Sequence, residues 1–342
     1  MTIQQIQTKL KYDPAYKFLS ENEHLGDNII LLGLGGSHAY GLTTPTSDLD
    51  IRGIAINSRK ELLLQNDFEQ VVNKETDTTI YSFQKMIKLL SNCNPNTIEI
   101  LGLPRWGYLY ISDIGKKLLD NKEIFLSRRA INKFGGYANQ QLYRLEQICS
   151  HKMPQKELEK HIFRTIKSVH ETFPEQYADY GDGTIKLYID ESDREDMDTE
   201  IFMDIQLTHY PLRDYCKQWN TLQNITSSYN KLGKRNNNAK EHGKIAKHMT
   251  HLIRLNLMCL DILNEGKIIT FREKDMKLLW DIRNGKYITE DNQVKPEFYE
   301  IVNYYENLLE KAKQTTELPP APDTEKIHKL VMEIHEEIIS KH

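Results

Sequence analysis

Asp48 and Asp50 stand two residues apart at the head of an apolar run, Asp48-Leu-Asp-Ile-Arg-Gly-Ile-Ala-Ile56. In a strand, alternate residues share a face, so both carboxylates would project from one side. Paired oxygen ligands at that spacing suit divalent cations such as Mg2+ or Mn2+. Shortly before them, Gly35-Gly36-Ser37 closes another apolar run, Ile29-Ile-Leu-Leu-Gly33. A Gly-Ser turn ahead of a short helix offers backbone N–H groups, and here the Ser37 hydroxyl, to phosphate oxygens. Gly36 allows the backbone to approach closely. Two cations beside a phosphate cradle can steady the attacking and leaving oxygens of an in-line displacement at phosphorus. A surface turn after Thr43-Thr-Pro-Thr-Ser47 would also account for Asp48. It accounts less well for Asp50, because an unpaired carboxylate within an apolar run is costly to bury.

The neighbours of this pair carry weaker signals. Arg52 shares the face of Asp48 and Asp50 by strand parity, and its guanidinium suits either a carboxylate partner or a phosphate. His38 and Tyr40 fall where the phosphates would be roofed. For His38, a contact to the triphosphate and a capping or packing role fit equally.

The stretch Gly35-Gly-Ser-His-Ala-Tyr-Gly-Leu-Thr-Thr-Pro-Thr-Ser-Asp-Leu-Asp-Ile-Arg-Gly53 resembles the active-site motif of the DNA polymerase β nucleotidyltransferase superfamily. That motif reads hydrophobic-Gly-Ser, a spacer, then Asp-x-Asp. The flanking residues resemble more narrowly the nucleotidyltransferases found beside RNA ligases in some bacterial and phage genomes. Tyr81-Ser-Phe-Gln-Lys-Met86, Asn94-Pro-Asn-Thr-Ile-Glu-Ile-Leu101 and Lys247-His-Met-Thr-His-Leu-Ile-Arg-Leu255 fit the same family. The resemblance implies a metal-dependent transfer of a nucleoside monophosphate from a nucleoside triphosphate to an acceptor hydroxyl, with release of pyrophosphate. It implies two Mg2+ (or Mn2+) ions and a third carboxylate on a neighbouring strand. Asp77, at the start of Thr78–Phe83, is the candidate for that third acid, and Glu75 is the alternative on the same parity. Asp48, Asp50 and Asp77 would thus be both catalytic and metal-binding. Glu99 matches the narrower pattern without an assignable role. Genome association suggests an RNA or tRNA end as acceptor, in repair or modification, and an RNA ligase as associate. Two other readings keep the same residues: adenylylation of a protein, as in antitoxin-like members, and a non-catalytic RNA-binding module.

The elements that must position these residues form two textures. Residues 28–57 read as strand, turn with helix, strand. Glu69–Asn73 and Thr78–Phe83 read as further strands, and Phe83, Met86, Ile87, Leu89 and Leu90 recur at helical spacing. Asn94-Pro95-Asn96 ends that helix. The fold expected is α+β, a polymerase-β-like core of a small mixed sheet with helices, followed by a mainly helical part with a β-hairpin. The domains expected are 1–125 (catalytic), 126–318 (helical, substrate-binding) and 319–342 (a proline spacer and final helix). Ser127 is the expected N-cap of a helix to about Ile148, and 155–171 continues helically. Thr184–Ile189 and Ile201–Ile205 form the hairpin. Residues 239–265 form one long helix stopped by Gly266, and 295–313 another. The final helix presents Ile327, Leu330, Val331, Ile334 and Ile338 on one face.

In 342 residues the net charge is −4, so a nucleic-acid partner needs a local basic patch. Residues 231–254 carry one: Lys231, Lys234, Arg235, Lys240, Lys244, Lys247 and Arg254 against Glu241. Residues 190–204 are strongly acidic, as a solvated loop would be. On the 239–265 helix, Ile245, Met249, Leu252, Ile253, Asn256 and Leu260 make a buried stripe, with Lys247, His251 and Arg254 largely on other faces. These three are candidates for nucleotide or RNA phosphates, and a plain solvated face explains the same pattern. His248 and His251 lack an adjacent third metal ligand. Tyr210, Tyr215, Trp219 and Tyr229 fit base stacking or core. Cys93, Cys149, Cys216 and Cys259 lie far apart, which argues against a cysteine zinc site and for a reduced, cytoplasmic setting. No apolar run is long enough for a transmembrane helix, and the first residues lack an apolar secretion core.

Overall fold

The computed structural model describes residues 1–149 except 46, 65 and 67, together with 185–191, 199–206, 208–213, 215–216, 219–220, 223, and 242–340 except 291. The expected helix 155–171, the acidic residues 192–198, Tyr229 and the basic residues Lys231, Lys234, Arg235 and Lys240 lie outside the described residues. The chain forms two compact units. Residues 1–134, 253–284 and 300–342 make the first, and 135–252 with 285–299 the second.

The first unit is built on a five-stranded mixed sheet in the order β3-β4-β2-β1-β5. The strands are β1 (Ile29–Leu34), β2 (Ile51–Ala55), β3 (Gln70–Asn73), β4 (Thr78–Ser82) and β5 (Tyr108–Ile111). All six β1 residues are buried, as a continuous apolar run requires of a central strand. β1 runs antiparallel to β2 and β5, β3 antiparallel to β4, and β2 parallel to β4. The parallel pair matters most here, because it sets the start of β2 beside the start of β4, with Ile51 opposite Thr78. Helix α1 covers Ile3–Tyr12 and α2 is the short Gly36–Tyr40 helix after β1. Then follow α3 (Phe83–Ser91), α4 (Asp113–Asp120), α5 (Arg129–Cys149), α6 (His242–Glu265), α7 (Met276–Arg283), α8 (Pro296–Thr315) and α9 (Thr324–Ser340). The second unit contains the antiparallel hairpin of β6 (Ile185–Glu191) and β7 (Thr199–Ile205).

Several local expectations change. β2 begins only at Ile51, so Asp48 and Asp50 precede the strand rather than sit within it. Their placement therefore rests on a loop. That loop is anchored by buried Leu49 and by the Gly35 N–H donating to the Asp50 carbonyl at 2.9 Å. Ser127 is not the cap of α5, which starts at Arg129. Its hydroxyl is fully buried against Cys93 Sγ at 3.6 Å, and its carbonyl accepts from the Ala130 N–H. α3 stops at Ser91, before Asn94, and the Asn94 side chain instead caps the next turn, Pro95–Ile98, by accepting from the Asn96 N–H. Gly266 does end α6, with φ +60°. α9 packs within the first unit. Lys117 pairs with Glu337, and the Phe83 and His335 rings meet edge-on at 6.0 Å. The spacer before it is pinned by the Arg128 N–H donating to the Pro319 carbonyl.

Candidate active site

Asp50, Arg52 and Asp77 meet where β2 and β4 begin. Arg52 Nη2 lies 3.5 Å from Asp50 Oδ1 and 3.5 Å from Asp77 Oδ1. Its other terminal nitrogen donates to the Asp77 carbonyl at 2.8 Å and the Ile51 carbonyl at 3.1 Å. One guanidinium thus holds both carboxylates and the backbone between them, so Arg52 is engaged by Asp50 and Asp77. Asp77 has φ +44°, a left-handed conformation that Asp tolerates better than most residues. Its carbonyl also accepts the Ile51 N–H, which carries the β2–β4 ladder one bond past Thr78.

Asp50 and Asp77 stand on the same guanidinium nitrogen, and each alters the other's hold on its proton. Burial, then the bond to Asp77 and its negative charge, push Asp50 up to about 7, with Arg52 opposing and Asp48 adding to the rise. Asp77 is held below the ordinary carboxylate range by the same bond and by Arg52. Exposure explains the division: the Asp50 side chain is 19% exposed and that of Asp77 59%. The less solvated acid keeps the proton.

Gly36 fits against this pair. Its φ is +51°, and a Cβ there would overlap the Asp50 carboxylate, 2.7 Å from Cγ. Only a residue without a side chain lets the backbone pass so close. Gly35 lies alongside, where a Cβ would come 3.1 Å from the Asp50 Cβ. Ser37 and His38 follow on the first turn of α2, both half-buried. Burial, with the N-terminal ammonium adding to it, lowers the His38 pKa, while the Asp48 backbone opposes. His38 Nδ1 is buried with no partner among the described residues. Asp48 is exposed.

Arg254 goes elsewhere. It is 3% exposed, donates to Glu99 Oε2 at 2.9 Å, and stacks 3.6 Å from the Tyr40 ring centroid. The Tyr40 hydroxyl donates to the same carboxylate at 2.7 Å. Burial pushes that phenol well above its ordinary range, so it remains a donor. α6 is buried at every position from 253 to 260, not along a stripe alone, which leaves Arg254 no solvated face. This network gives Glu99 a role that its motif did not reveal: it locks the last residue of α2 to α6. The signal was present as lone charges within apolar stretches, Ile98-Glu-Ile-Leu101 and Leu252-Ile-Arg-Leu255. Lys247 (exposed) and His251 (half-buried) lie on α6 within the second unit. Replacing Glu99 by Ala strands a buried guanidinium and should cost about 3–5 kcal/mol of stability. Glu99→Gln, which still accepts a hydrogen bond, should cost less. Urea midpoints check both, and an unmoved midpoint for the Ala variant would contradict the assignment.

Among the described residues, no three His, Cys, Asp or Glu side chains already converge on one point as a metal cluster. The Asp50–Asp77 pair fits a hard divalent cation by its chemistry. Two carboxylates gathered 3.5 Å from one guanidinium nitrogen offer oxygen ligands only, and a cation binds them in their deprotonated form. Asp48 adds a third acid whose charge already reaches Asp50.

A glycine-lined turn pressed onto an aspartate pair, at one end of a mixed sheet, resembles the arrangement of the DNA polymerase β superfamily. Comparison with known families agrees. Residues 10–171 match RlaP, the RNA repair pathway DNA polymerase beta family, and that segment holds all five strands and every member of the aspartate site. The chain is also 26% identical over 165 residues to an uncharacterized 38.9 kDa protein in the nrdC-mobD intergenic region of Enterobacteria phage T4. That match covers 44% of this chain and 46% of the phage protein, so it spans about half the length of the curated relative. No solved structure matches the chain. No described helix is long and apolar enough to cross a membrane.

Proposed function

We propose that the protein is a metal-dependent nucleotidyltransferase that moves a nucleoside monophosphate from a nucleoside triphosphate to a hydroxyl of an RNA end, tRNA included. The observation that carries this reading is the gathering of Asp50 and Asp77 on Arg52, with Gly36 pressed against the Asp50 carboxylate. Asp48, Asp50 and Asp77 would hold Mg2+ or Mn2+. When bound, such cations supply positive charge to the phosphates and to the oxygens that gain charge in the displacement.

The chain's own residues do the rest. The backbone of Gly35 and Gly36 and the Ser37 hydroxyl bind the β- and γ-phosphates. The acceptor oxygen attacks the α-phosphorus, the bond to the β-phosphate oxygen breaks, and pyrophosphate leaves. The hydroxyl proton passes to a carboxylate oxygen of Asp77, the acid whose side chain is open to solvent. Arg52 keeps that carboxylate in place through its backbone carbonyl. His38, its buried Nδ1 unpartnered among the described residues, lines the phosphate side. The buried bond from Tyr40 to Glu99 holds α2 at the right depth. Lys247 and His251 would contact nucleotide or RNA phosphates, and an RNA ligase is the expected associate in a repair pathway.

The test is pyrophosphate release from each of the four triphosphates with Mg2+ and total tRNA. Wild type should release it and the Asp48→Ala/Asp50→Ala variant should not. Equal release from both would remove these residues from the chemistry.

A further inference from the structure

We propose that the outer edge of the five-stranded sheet is a track for the single-stranded acceptor RNA, starting at Trp106. The inference rests on the nucleotidyltransferase reading above and names where its acceptor lies.

β5 is an edge strand, and it runs antiparallel to β1 with Tyr108 opposite Gly33 and Ile111 opposite Leu31. Its start therefore lies beside the end of β1, where Gly35, Gly36 and Ser37 begin. Arg105 and Trp106 immediately precede that start, on a tight turn closed by the Gly107 N–H donating to the Pro104 carbonyl at 2.8 Å. Trp106 is 45% exposed. Its inner edge packs at 5.1 Å, edge to face, on Phe271, and Phe271 in turn lies against Gly41 at the end of α2. A large aromatic is thus held rigidly on the surface, one side chain away from the helix of the phosphate turn. Nothing in folding stability calls for so large an apolar surface to stay in water. Tyr110, on β5 itself, is 48% exposed.

Charge accompanies the rings. Beside β5 and α4 is an open cavity of about 470 Å3 lined by Arg105, Lys116 and Lys122. Asp113 and Asp120 also line it, but none of the three cations has an ion-pair partner among the described residues. Lys122 donates only to the Leu101 carbonyl, at 3.4 Å. Exposed rings with unpaired cations beside the same strand are what a single strand requires: π faces for its bases and positive charge for its phosphates, without base-edge reading. A chain with a net charge of −4 must gather its cations locally to hold a polyanion; here Arg105 lies at the site's end of the sheet and Lys116 toward the other end of β5, where the Ser112 N–H donates to the Ile30 carbonyl.

The experiment is fluorescence anisotropy of a labelled single-stranded RNA of about 12 nucleotides with full-length protein in EDTA, where no transfer proceeds. Trp106→Ala should weaken binding about tenfold, and Trp106→Phe should retain it, because stacking needs a ring rather than an indole. Arg105→Glu/Lys116→Glu, a surface change that spares the fold, should weaken binding more and reduce the salt slope by about 1.4, the share of two phosphate contacts. If wild type binds and these variants bind as tightly, the track is wrong while the enzymatic reading stands. If wild type does not bind RNA yet releases pyrophosphate, RNA as acceptor is wrong and the track falls with it.

Discussion

Asp50→Asn is expected to lower nucleotide transfer on the order of a thousandfold or more, and to raise the thermal midpoint of the metal-free protein above pH 7. The two effects share one cause. Asp50 is crowded by burial and by Asp77, so it holds its proton to about pH 7 in the folded chain against an ordinary value of 3.8. A carboxyl that binds its proton more tightly when folded weakens the fold as pH rises between those values. The loss begins near pH 4, grows to about pH 7, and is constant above that. Asn keeps the shape and most of the hydrogen bonding without the charge, and Arg52 retains Asp77 as its partner. The gain in midpoint should therefore be small at pH 4 and largest above pH 7. Saturating Mg2+ should reverse the order, because only the native pair gains stability from the cation. Calorimetry at pH 4, 6 and 8 checks this, and a variant less stable than wild type at pH 8 would contradict it. The acidic pair is thus a place where stability is given up for a binding site.

Gly36→Ala should also damage activity, by a different route. The residue sits at φ +51°, and its Cβ would enter the Asp50 carboxylate. Either the turn shifts or the carboxylate does. Backbone strain of this kind costs about 1–3 kcal/mol, and displacement of the cradle by about 1 Å costs about a hundredfold in rate. The contrast with Asp50→Asn is diagnostic: Gly36→Ala loses both stability and transfer, at every pH. Wild-type activity in this variant would mean that the turn does not cradle the phosphates.

Much of the scaffold was readable because its signals are local. β1 is an unbroken apolar run, so its burial on both faces followed directly. The hairpin of β6 and β7, the stop of α6 at Gly266, and the apolar face of α9 also depend on neighbouring residues alone. The Gly-Ser turn and the aspartates were legible as a unit because one closes and the other opens apolar runs that must lie side by side. Strand parity was the wrong reason for the aspartates, since the loop before Ile51 places them. Three features were not legible. The left-handed φ of Asp77 accompanies a contact from Arg52, 25 residues away, to its carbonyl. The Glu99–Arg254 pair joins residues 155 positions apart; each is a lone charge within an apolar stretch, but neither stretch says which partner it takes. Trp106 is placed at the site's end of the sheet only by the register of β5, which is not a local signal.

The most direct measurement follows the α-phosphate itself. Wild type and the Asp48→Ala/Asp50→Ala variant are incubated with Mg2+, each α-labelled triphosphate in turn, total tRNA and a cell extract, and the label is traced. Label in RNA with wild type alone, for at least one triphosphate, is the result expected here. Label in protein would replace the acceptor, and triphosphates left unspent by wild type would contradict nucleotidyl transfer altogether.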